Sequence, residues 1–162
     1  MGLSAIFAIR WDLIIEFSIL FLVIIIVIVL ATILITRKLK IVYKDLYRHQ
    51  SKFDIELRKS SNLISKVVEI PDFNRYDNVV IKDLSFSEKK ELLDLVMNAY
   101  QSIDQTDENN RYVIETYDNL HEMRRILDSK ILSYNQIISI FPFYIYAKIL
   151  KMKKRPYYTH NE

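Results

Sequence analysis

The feature that most constrains this chain is an apolar run of nineteen residues, 17 to 35, without a charged residue, a proline or a glycine. Only Ser18 and Thr32 interrupt its apolar character. At about 1.5 Å of rise per helical residue, the run spans roughly 28 Å, which matches the hydrocarbon core of a bilayer. It therefore predicts one transmembrane helix over residues 13 to 36. Successive turns of this predicted span carry Phe17, Phe21, Ile25, Val29 and Ile33.

The charges beside the run predict its orientation. Six basic residues and a single acid lie between positions 37 and 52, and the first of the basic residues are Arg37, Lys38 and Lys40. Because Lys and Arg are enriched on the cytoplasmic side of a span, we expect the N-terminus outside and the C-terminal domain in the cytoplasm, at the cytoplasmic (inner) membrane. A cleaved signal peptide is disfavoured, because its apolar region would be about 7 to 15 residues long and would end at small residues.

The composition limits what the remaining chain can be. Residues 37 to 162 suffice for one compact domain and are too few for two. The chain has no cysteine, which excludes disulfides, thiolate catalysis and cysteine-bound zinc. One glycine and three prolines leave little material for hairpin turns, so long helices are favoured.

Apolar periodicity places these helices. Leu46, Phe53, Leu57, Ser60, Ile64 and Val67 predict a helix that continues from the span and ends near Pro71. Ser85 and Glu88 form a capping-box pattern that predicts a second helix, which carries Leu92, Val96, Tyr100 and Ile103 on one face and ends near Asp104. A third helix, for which Asp107 is the predicted cap, carries the strongest stripe, Val113, Tyr117, Leu120, Arg124, Leu127, Ile131, Tyr134 and Ile138. Phe141 and Pro142 end it, and a short aromatic helix occupies residues 143 to 151.

The predicted fold is therefore all-α. An N-terminal transmembrane helix continues into an antiparallel three-helix bundle with a short C-terminal helix. The predicted segments are a short N-terminal stretch (1–12), the span (13–36), the bundle (37–158) and a tail (159–162). With three helices that alternate in direction, the basic C-terminal segment is expected at the end of the bundle farthest from the membrane.

Several motifs resemble the LemA family. Residues 54 to 69, which include Leu57 and Leu63, are similar to its first conserved block. Residues 123 to 135 resemble its Arg-Arg-x-Tyr-Asn-x-x-Val-x-x-Tyr-Asn pattern through Arg124, Arg125, Tyr134 and Asn135, and Phe141 and Pro142 follow at the family spacing. The chain departs from the pattern at Leu127-Asp128, at Ser65 and in a short middle helix. The resemblance implies a long-helix bundle on a membrane anchor and no assigned biochemical role.

Candidate catalytic groups are weak. His121 and Glu122 begin like the zinc-protease motif H-E-x-x-H, but Arg125 occupies the second ligand position. The pair Asp118 and His121 would need a second such pair and two further carboxylates to hold two iron ions. A phosphate-binding loop is excluded by the single glycine. We therefore expect no enzyme activity, no cofactor, no metal site, no small-molecule substrate and no nucleic-acid partner.

The basic C-terminal segment leaves alternatives open. Its aromatic residues 143 to 149 could cap the core while the lysines stay solvated, or the cations could face an acidic protein or anionic lipid. The candidate partner-contact residues are Tyr144, Lys148, Lys151, Lys153, Lys154 and Arg155. Arg124, within the third stripe, could pair with Glu91 or Asp94, or could lie at the edge of the stripe.

Two functions fit these features. In the first, the chain is a non-enzymatic membrane-anchored scaffold or accessory subunit that binds other membrane proteins through its span and bundle. In the second, it is an envelope protein that assembles with itself or engages lipid and so organises membrane. The expected partners are accordingly the lipid bilayer and other membrane proteins or further copies of this chain.

Overall fold

The computed structural model describes residues 2 to 77 and 79 to 159, without the side chains of residues 2 to 10 and of Asp12. Within these residues the chain is all-helical and forms no strand, which confirms the predicted fold class. The α-helices are α1 (Gly2–Val67), α2 (Phe86–Gln101), α3 (Arg111–Ile137) and α4 (Phe143–Ile149). Short 3-10 turns occupy Pro71–Arg75, Ile81–Asp83 and Glu108–Asn110. The predicted tail falls outside the described residues from position 160 onwards.

The chain divides into two compact units, Met1–Ile41 and Val42–Glu162, and the division falls within α1. In the first unit, the helix is long and apolar enough to cross a membrane, and none of its most apolar window is buried. Phe17 and Phe21 are 67% and 65% exposed, and Ile25, Val29 and Ile33 are exposed as well. The apolar side chains of residues 13 to 30 are therefore all exposed, whereas Leu39 near the end of this unit is buried.

The second unit has a core built from one face of each long helix. The predicted stripe of α1 is buried at Leu46, Phe53, Leu57, Ser60 and Ile64, whereas Val67 is exposed at the end of the helix. The buried apolar residues of α2 and α3 are Leu92, Leu93, Val96, Ala99, Tyr100, Val113, Leu120, Leu127, Ile131 and Tyr134. The helical periodicity therefore predicted the centre of the buried face of each long helix, and missed Leu93 and Ala99 at the side of the α2 face.

The helix ends follow local capping chemistry. The Ser85 hydroxyl accepts the backbone N–H of Glu88, and the Glu88 carboxylate accepts the N–H of Ser85, which confirms the capping box. The Ser85 hydroxyl also donates to the Glu88 carboxylate at 2.6 Å, and this bond together with the one from the Ser85 N–H lowers the pKa of Glu88. Asp107 caps the 3-10 turn that precedes α3 and not α3 itself, since its carboxylate accepts from Asn109 N–H.

The contacts between helices correct the expected directions. Along α1 and α3, Asp45 pairs with Lys130 at 2.8 Å, and the Ser60 hydroxyl donates to the Thr116 carbonyl at 3.3 Å. Residue numbers rise in one helix as they fall in the other, so α1 and α3 are antiparallel. The rings of Tyr100 and Tyr117 stack at 3.6 Å.

The beginning of α2 settles its direction. Lys89, in its first turns, pairs with Asp54. The last turn reaches Tyr117, one residue from the position at which α3 meets Ser60. Helix α2 is therefore parallel to α1 and antiparallel to α3, and the three helices do not alternate.

The segment between α1 and α2 explains this arrangement. Residues 68 to 85 return along α1 before α2 begins, and the Arg58 guanidinium holds this return. It donates to the carbonyl oxygens of Tyr76, Asp77 and Val79 at 2.7 to 3.1 Å. Because the irregular segment makes the reversal, α3 ends at the same end of the second unit as Val42, and the expectation of a distal C-terminal segment is wrong.

Candidate functional site

The C-terminal segment, residues 138 to 159, is held against α3 by hydrogen bonds to its backbone. The Tyr134 hydroxyl donates to the Lys153 carbonyl at 3.1 Å. The Asn135 amide donates to the Arg155 carbonyl at 2.8 Å and accepts the Arg155 N–H at 2.9 Å. One side-chain amide thus satisfies both backbone polar groups of Arg155, as a neighbouring strand would. The Tyr-Asn pair that carries the family resemblance therefore fixes the path of residues 153 to 155.

A second anchor lies about two turns earlier on α3. The Asp128 carboxylate accepts the N–H groups of Tyr158 at 2.8 Å and of Thr159 at 3.0 Å. The Tyr158 ring is buried between Phe53 and Phe86, with centroid distances of 4.6 and 4.8 Å. Burial raises the pKa of the Tyr158 phenol, so this side chain is neutral at physiological pH. Tyr158 therefore joins the C-terminal segment to the start of α2 and to α1.

Beside Tyr158 lies a cavity of about 280 Å³ that contains a buried ion pair. Lys89 donates to both oxygens of Asp54, at 2.9 and 2.8 Å. Burial raises the pKa of Asp54, and Lys89 opposes this shift by its hydrogen bonds. Because each group neutralises the other, the pair is suited to positioning α2 on α1 rather than to proton transfer.

Around His121, the side chains contact one another without forming a ligand set. The Arg124 guanidinium lies 3.4 to 3.5 Å from the two ring nitrogens of His121, and 3.6 Å from Met97 Sδ. Glu91, one expected partner of Arg124, pairs with Arg75 at 3.1 Å instead. Desolvation and the charge of Arg124 lower the pKa of His121. Among the described residues, no group of three His, Asp or Glu side chains is placed to hold a metal ion.

The remaining residues of the family resemblance have mixed positions. Leu57 is fully buried in the core, Leu63 and Pro142 are half-buried, and Arg125 is exposed. Phe141 is 72% exposed, so it does not close the core.

The most exposed part of the C-terminal segment combines apolar and basic side chains. Helix α4 buries Ala147 against the rest of the unit and turns Tyr144, Ile145, Lys148 and Ile149 outward. We define the C-terminal surface by its exposed members, Ile140, Phe141, Tyr144, Ile145, Lys148, Ile149, Leu150, Lys151, Lys153, Lys154 and Arg155. All six residues named as candidate partner contacts belong to it.

Helix α4 ends in a backbone turn that shapes this surface. Lys151 has a φ of 55°, its N–H donates to the Lys148 carbonyl at 3.1 Å, and the Met152 N–H donates to the Ala147 carbonyl at 2.9 Å. This pair of hydrogen bonds is the Schellman motif, in which glycine usually takes the position with positive φ. Here a lysine takes that position and remains exposed.

Sequence reasoning missed four of these functional positions. Asp54 and Lys89 were given no role, Asp128 was named only as a departure from the family pattern, and Tyr158 was only the last residue of the predicted bundle. No local pattern identifies Asp54 and Lys89, which lie 35 positions apart. Asp128 could have been found, since it occupies an Asn position of the family pattern one repeat before Asn135 and has the same backbone-binding role.

Arg37, Lys38 and Lys40 follow the C-terminal end of the apolar run. They are exposed and lie on α1.

Comparison with protein-family models, with curated proteins and with solved structures finds no match to this chain.

Proposed function

We propose that this chain is a non-enzymatic, single-pass membrane protein whose helical unit is a scaffold or accessory subunit for other membrane proteins. The observation that carries the proposal is the exposed apolar surface of residues 13 to 34, which belongs to a helix long enough to cross a bilayer. An apolar surface of this size requires lipid or another apolar helix as its surroundings. The span is thus both the anchor and a surface for binding other spans.

The proposed placement is the cytoplasmic (inner) membrane, with the N-terminus outside and the second unit in the cytoplasm. The exposed cations Arg37, Lys38 and Lys40 support this orientation. A reporter enzyme fused to the C-terminus should be active in the cytoplasm. Digestion of the second unit by protease added outside intact cells would contradict the orientation.

The use of ionisable groups supports action by contact. Asp54 and Lys89 hold α2 on α1, Asp128 holds the C-terminal segment, and Asp45 pairs with Lys130. We infer that no cofactor or small substrate is bound, and that exposed polar residues can be replaced singly without loss of function. An exposed Asp, Glu or His whose substitution abolishes the phenotype at normal protein abundance would refute this inference.

We also propose that the chain is LemA-like, as a membrane-anchored three-helix bundle. The proposal is supported by Tyr134 and Asn135, two residues of the family pattern, which both form hydrogen bonds to the backbone of the C-terminal segment. At one departure from the family pattern, Asp128 still binds backbone N–H groups of the C-terminal segment.

Extraction in mild detergent, followed by size-exclusion chromatography with mass detection, tests the proposed function. Stoichiometric foreign membrane proteins in the eluted complex support a scaffold or accessory subunit. A matched variant, in which residues 17 to 35 are all leucine, keeps the anchor and changes its packing surface. Loss of the partner from this variant would assign binding to the span, and retention would assign it to the second unit.

The second candidate function, self-assembly or lipid engagement that organises membrane, is favoured by the C-terminal surface. In the same experiment, large homo-oligomers without foreign subunits would support it and contradict the scaffold proposal.

A further inference from the structure

The C-terminal surface has a composition suited to an anionic partner. From residue 129 to residue 161 the chain contains six basic residues and no acid. Three acids of α1 and α3 in the second unit are already engaged, Asp45 by Lys130, Asp54 by Lys89 and Asp128 by backbone N–H groups. Among the described residues, no ion pair neutralises the exposed cations of this surface. It therefore presents a net positive charge.

The same surface is also strongly apolar, which distinguishes it from a solvated basic tail. Phe141 and Ile149 are 72% and 70% exposed, and Tyr144, Ile145 and Leu150 are exposed beside them. On α4, Tyr144 and Lys148 are four residues apart, as are Ile145 and Ile149, so aromatic, aliphatic and basic side chains share one outward face. Basic helices with aromatic and aliphatic side chains are typical of the membrane interface.

Contacts within the second unit place this surface at the end that carries Val42. The Tyr43 and Tyr134 rings lie 6.3 Å apart, and Tyr134 in turn binds the Lys153 carbonyl. Residue 42 follows the end of the predicted span by six residues. Six residues cover about 9 Å as helix and at most about 20 Å in any conformation. The chain itself thus keeps this end of the unit near a bilayer that holds the span.

We propose that the C-terminal surface binds the anionic lipid headgroups of the membrane in which the chain is anchored. Phe141, Tyr144, Ile145 and Ile149 enter the interface, and the lysines contact lipid phosphates. The proposal rests on the proposed membrane anchor and deepens it, because a second attachment point would hold the helical unit against the bilayer. The occupant is lipid rather than an acidic protein, because the apolar side chains beside the cations need an apolar phase and the tether supplies one.

Attraction to an anionic surface predicts a graded dependence on charge. Each cation near the surface should raise the ratio of membrane-bound to free C-terminal surface by roughly five-fold, and removal of two should lower it on the order of 25-fold. Salt should weaken the contact, since the screening length falls from about 8 Å at physiological ionic strength to about 3 Å at 1 M.

Because the chain has no cysteine, a single introduced cysteine can carry an environment-sensitive fluorophore. The test uses the full chain in vesicles of phosphatidylcholine with or without phosphatidylglycerol, and quenchers attached to lipid chains. Three labelled variants are compared: Ile149→Cys on the C-terminal surface, Ile55→Cys as a similarly exposed apolar control, and Ile25→Cys within the proposed span. We expect quenching at position 149 only with phosphatidylglycerol, at position 25 with both lipids, and at position 55 with neither.

Charge removal completes the test. The variant Lys148→Gln/Lys151→Gly removes two cations and keeps the turn, because glycine is favoured at the positive φ of residue 151. The matched variant Lys66→Gln/Lys90→Gln removes two cations elsewhere in the second unit. For the first variant, the bound-to-free ratio obtained from quenching at position 149 should fall on the order of 25-fold. For the second variant, this ratio should stay unchanged.

Three results would overturn the proposal. The first is the absence of quenching at position 149 in vesicles with phosphatidylglycerol when position 25 is quenched. The second is quenching at position 149 that is independent of lipid charge. The third is protection of position 149 in detergent that rises with protein concentration, which would assign the surface to a second copy of this chain. Absence of quenching at position 25 would instead refute the anchor, and with it the proposed function.

Discussion

Residues 17 to 35 and helix α3 are both helical and rich in apolar side chains, yet they expose these side chains in opposite ways. Leu127 of α3 is fully buried, whereas Phe17 is 67% exposed. The difference lies in the pattern. Apolar residues on α3 form one stripe beside charged residues, so a protein core can cover them. Around residues 17 to 35 they cover the whole circumference, which requires an apolar solvent.

The largest effect that separates the two regions is expected from a charge in the stripe of α3. Leu127→Asp should reduce the free energy of unfolding of the second unit by about 5 kcal/mol, comparable to its whole stability, because the charge is buried without a partner. Hydrogen exchange of residues 86 to 137, in full-length protein in detergent, measures the loss. Leu132→Asp is the matched control, since Leu132 is 47% exposed on the same helix. Equal losses of stability in the two variants would contradict the burial of the α3 stripe on which the contrast with residues 17 to 35 depends.

Next in size is the buried ion pair between α1 and α2. Asp54→Leu should cost about 3 to 5 kcal/mol, because the ammonium of Lys89 is left buried without its partner. The double variant Asp54→Leu/Lys89→Met should recover most of this stability. Denaturant unfolding followed by helical circular dichroism measures both. A double variant as unstable as the single one would mean that the pair contributes net stability rather than position.

A charge in the proposed span should act on membrane insertion and not on the second unit. Ile25→Arg should disfavour insertion by about 3 kcal/mol, the cost of arginine at the centre of a span. The fraction of protein that stays in membranes after an alkaline wash measures it, with Thr36→Arg at the end of the run as control. A loss of stability in residues 86 to 137 of the Ile25→Arg variant would contradict the independence of the two regions.

A smaller effect is expected at the clamp on the C-terminal segment. Asn135→Ala removes two hydrogen bonds to Arg155 and should cost about 2 kcal/mol locally. Residues 150 to 159 should then exchange hydrogen or be cleaved by protease faster, while α2 stays protected. Gln136→Ala, at the exposed neighbouring position, should have no effect. Unchanged protection in Asn135→Ala would show that Asp128 and Tyr158 suffice.

The smallest predicted effect is a pH dependence from His121. Its pKa is lower in the folded state than the ordinary value near 6.5, so the unfolded chain binds more protons at this pH. The contribution of His121 to stability is therefore present above pH 6.5 and is lost as the pH falls from there towards the folded pKa. Denaturant unfolding at pH 7.5 and pH 5.5 should show a larger loss for the natural chain than for His121→Gln. Equal losses would contradict the assignment.

Local patterns predicted the elements of this chain well. The capping box at Ser85, the end of α1 before Pro71 and the stripe of α3 all depend on residues a few positions apart. The directions of the helices were predicted wrongly, because periodicity identifies a face but not the path of the intervening segment. That path depends on Arg58, which holds carbonyl groups about twenty positions away.

The candidate site was predicted in part. Its cations and aromatic residues were named from composition, and Tyr134 and Asn135 from the family resemblance. The contacts of Tyr134 and Asn135 could not be predicted. An asparagine on a helix has the same local pattern as any polar residue, and only the fold brings residue 155 beside it. The same is true of Asp54 and Lys89, whose charges are costly to bury singly and acceptable only together.

The amino-acid sequence determined the all-helical class, the apolar helix fit to cross a membrane and the buried face of each later helix, because these follow from composition and periodicity along the chain. Only the tertiary structure decided that α2 is parallel to α1, that Asp54 meets Lys89, and that the C-terminal surface lies at the Val42 end of its unit. Those outcomes depend on contacts between residues far apart in sequence. A few hydrogen bonds from Arg58, Asn135 and Asp128 select one path among several that bury the same apolar faces.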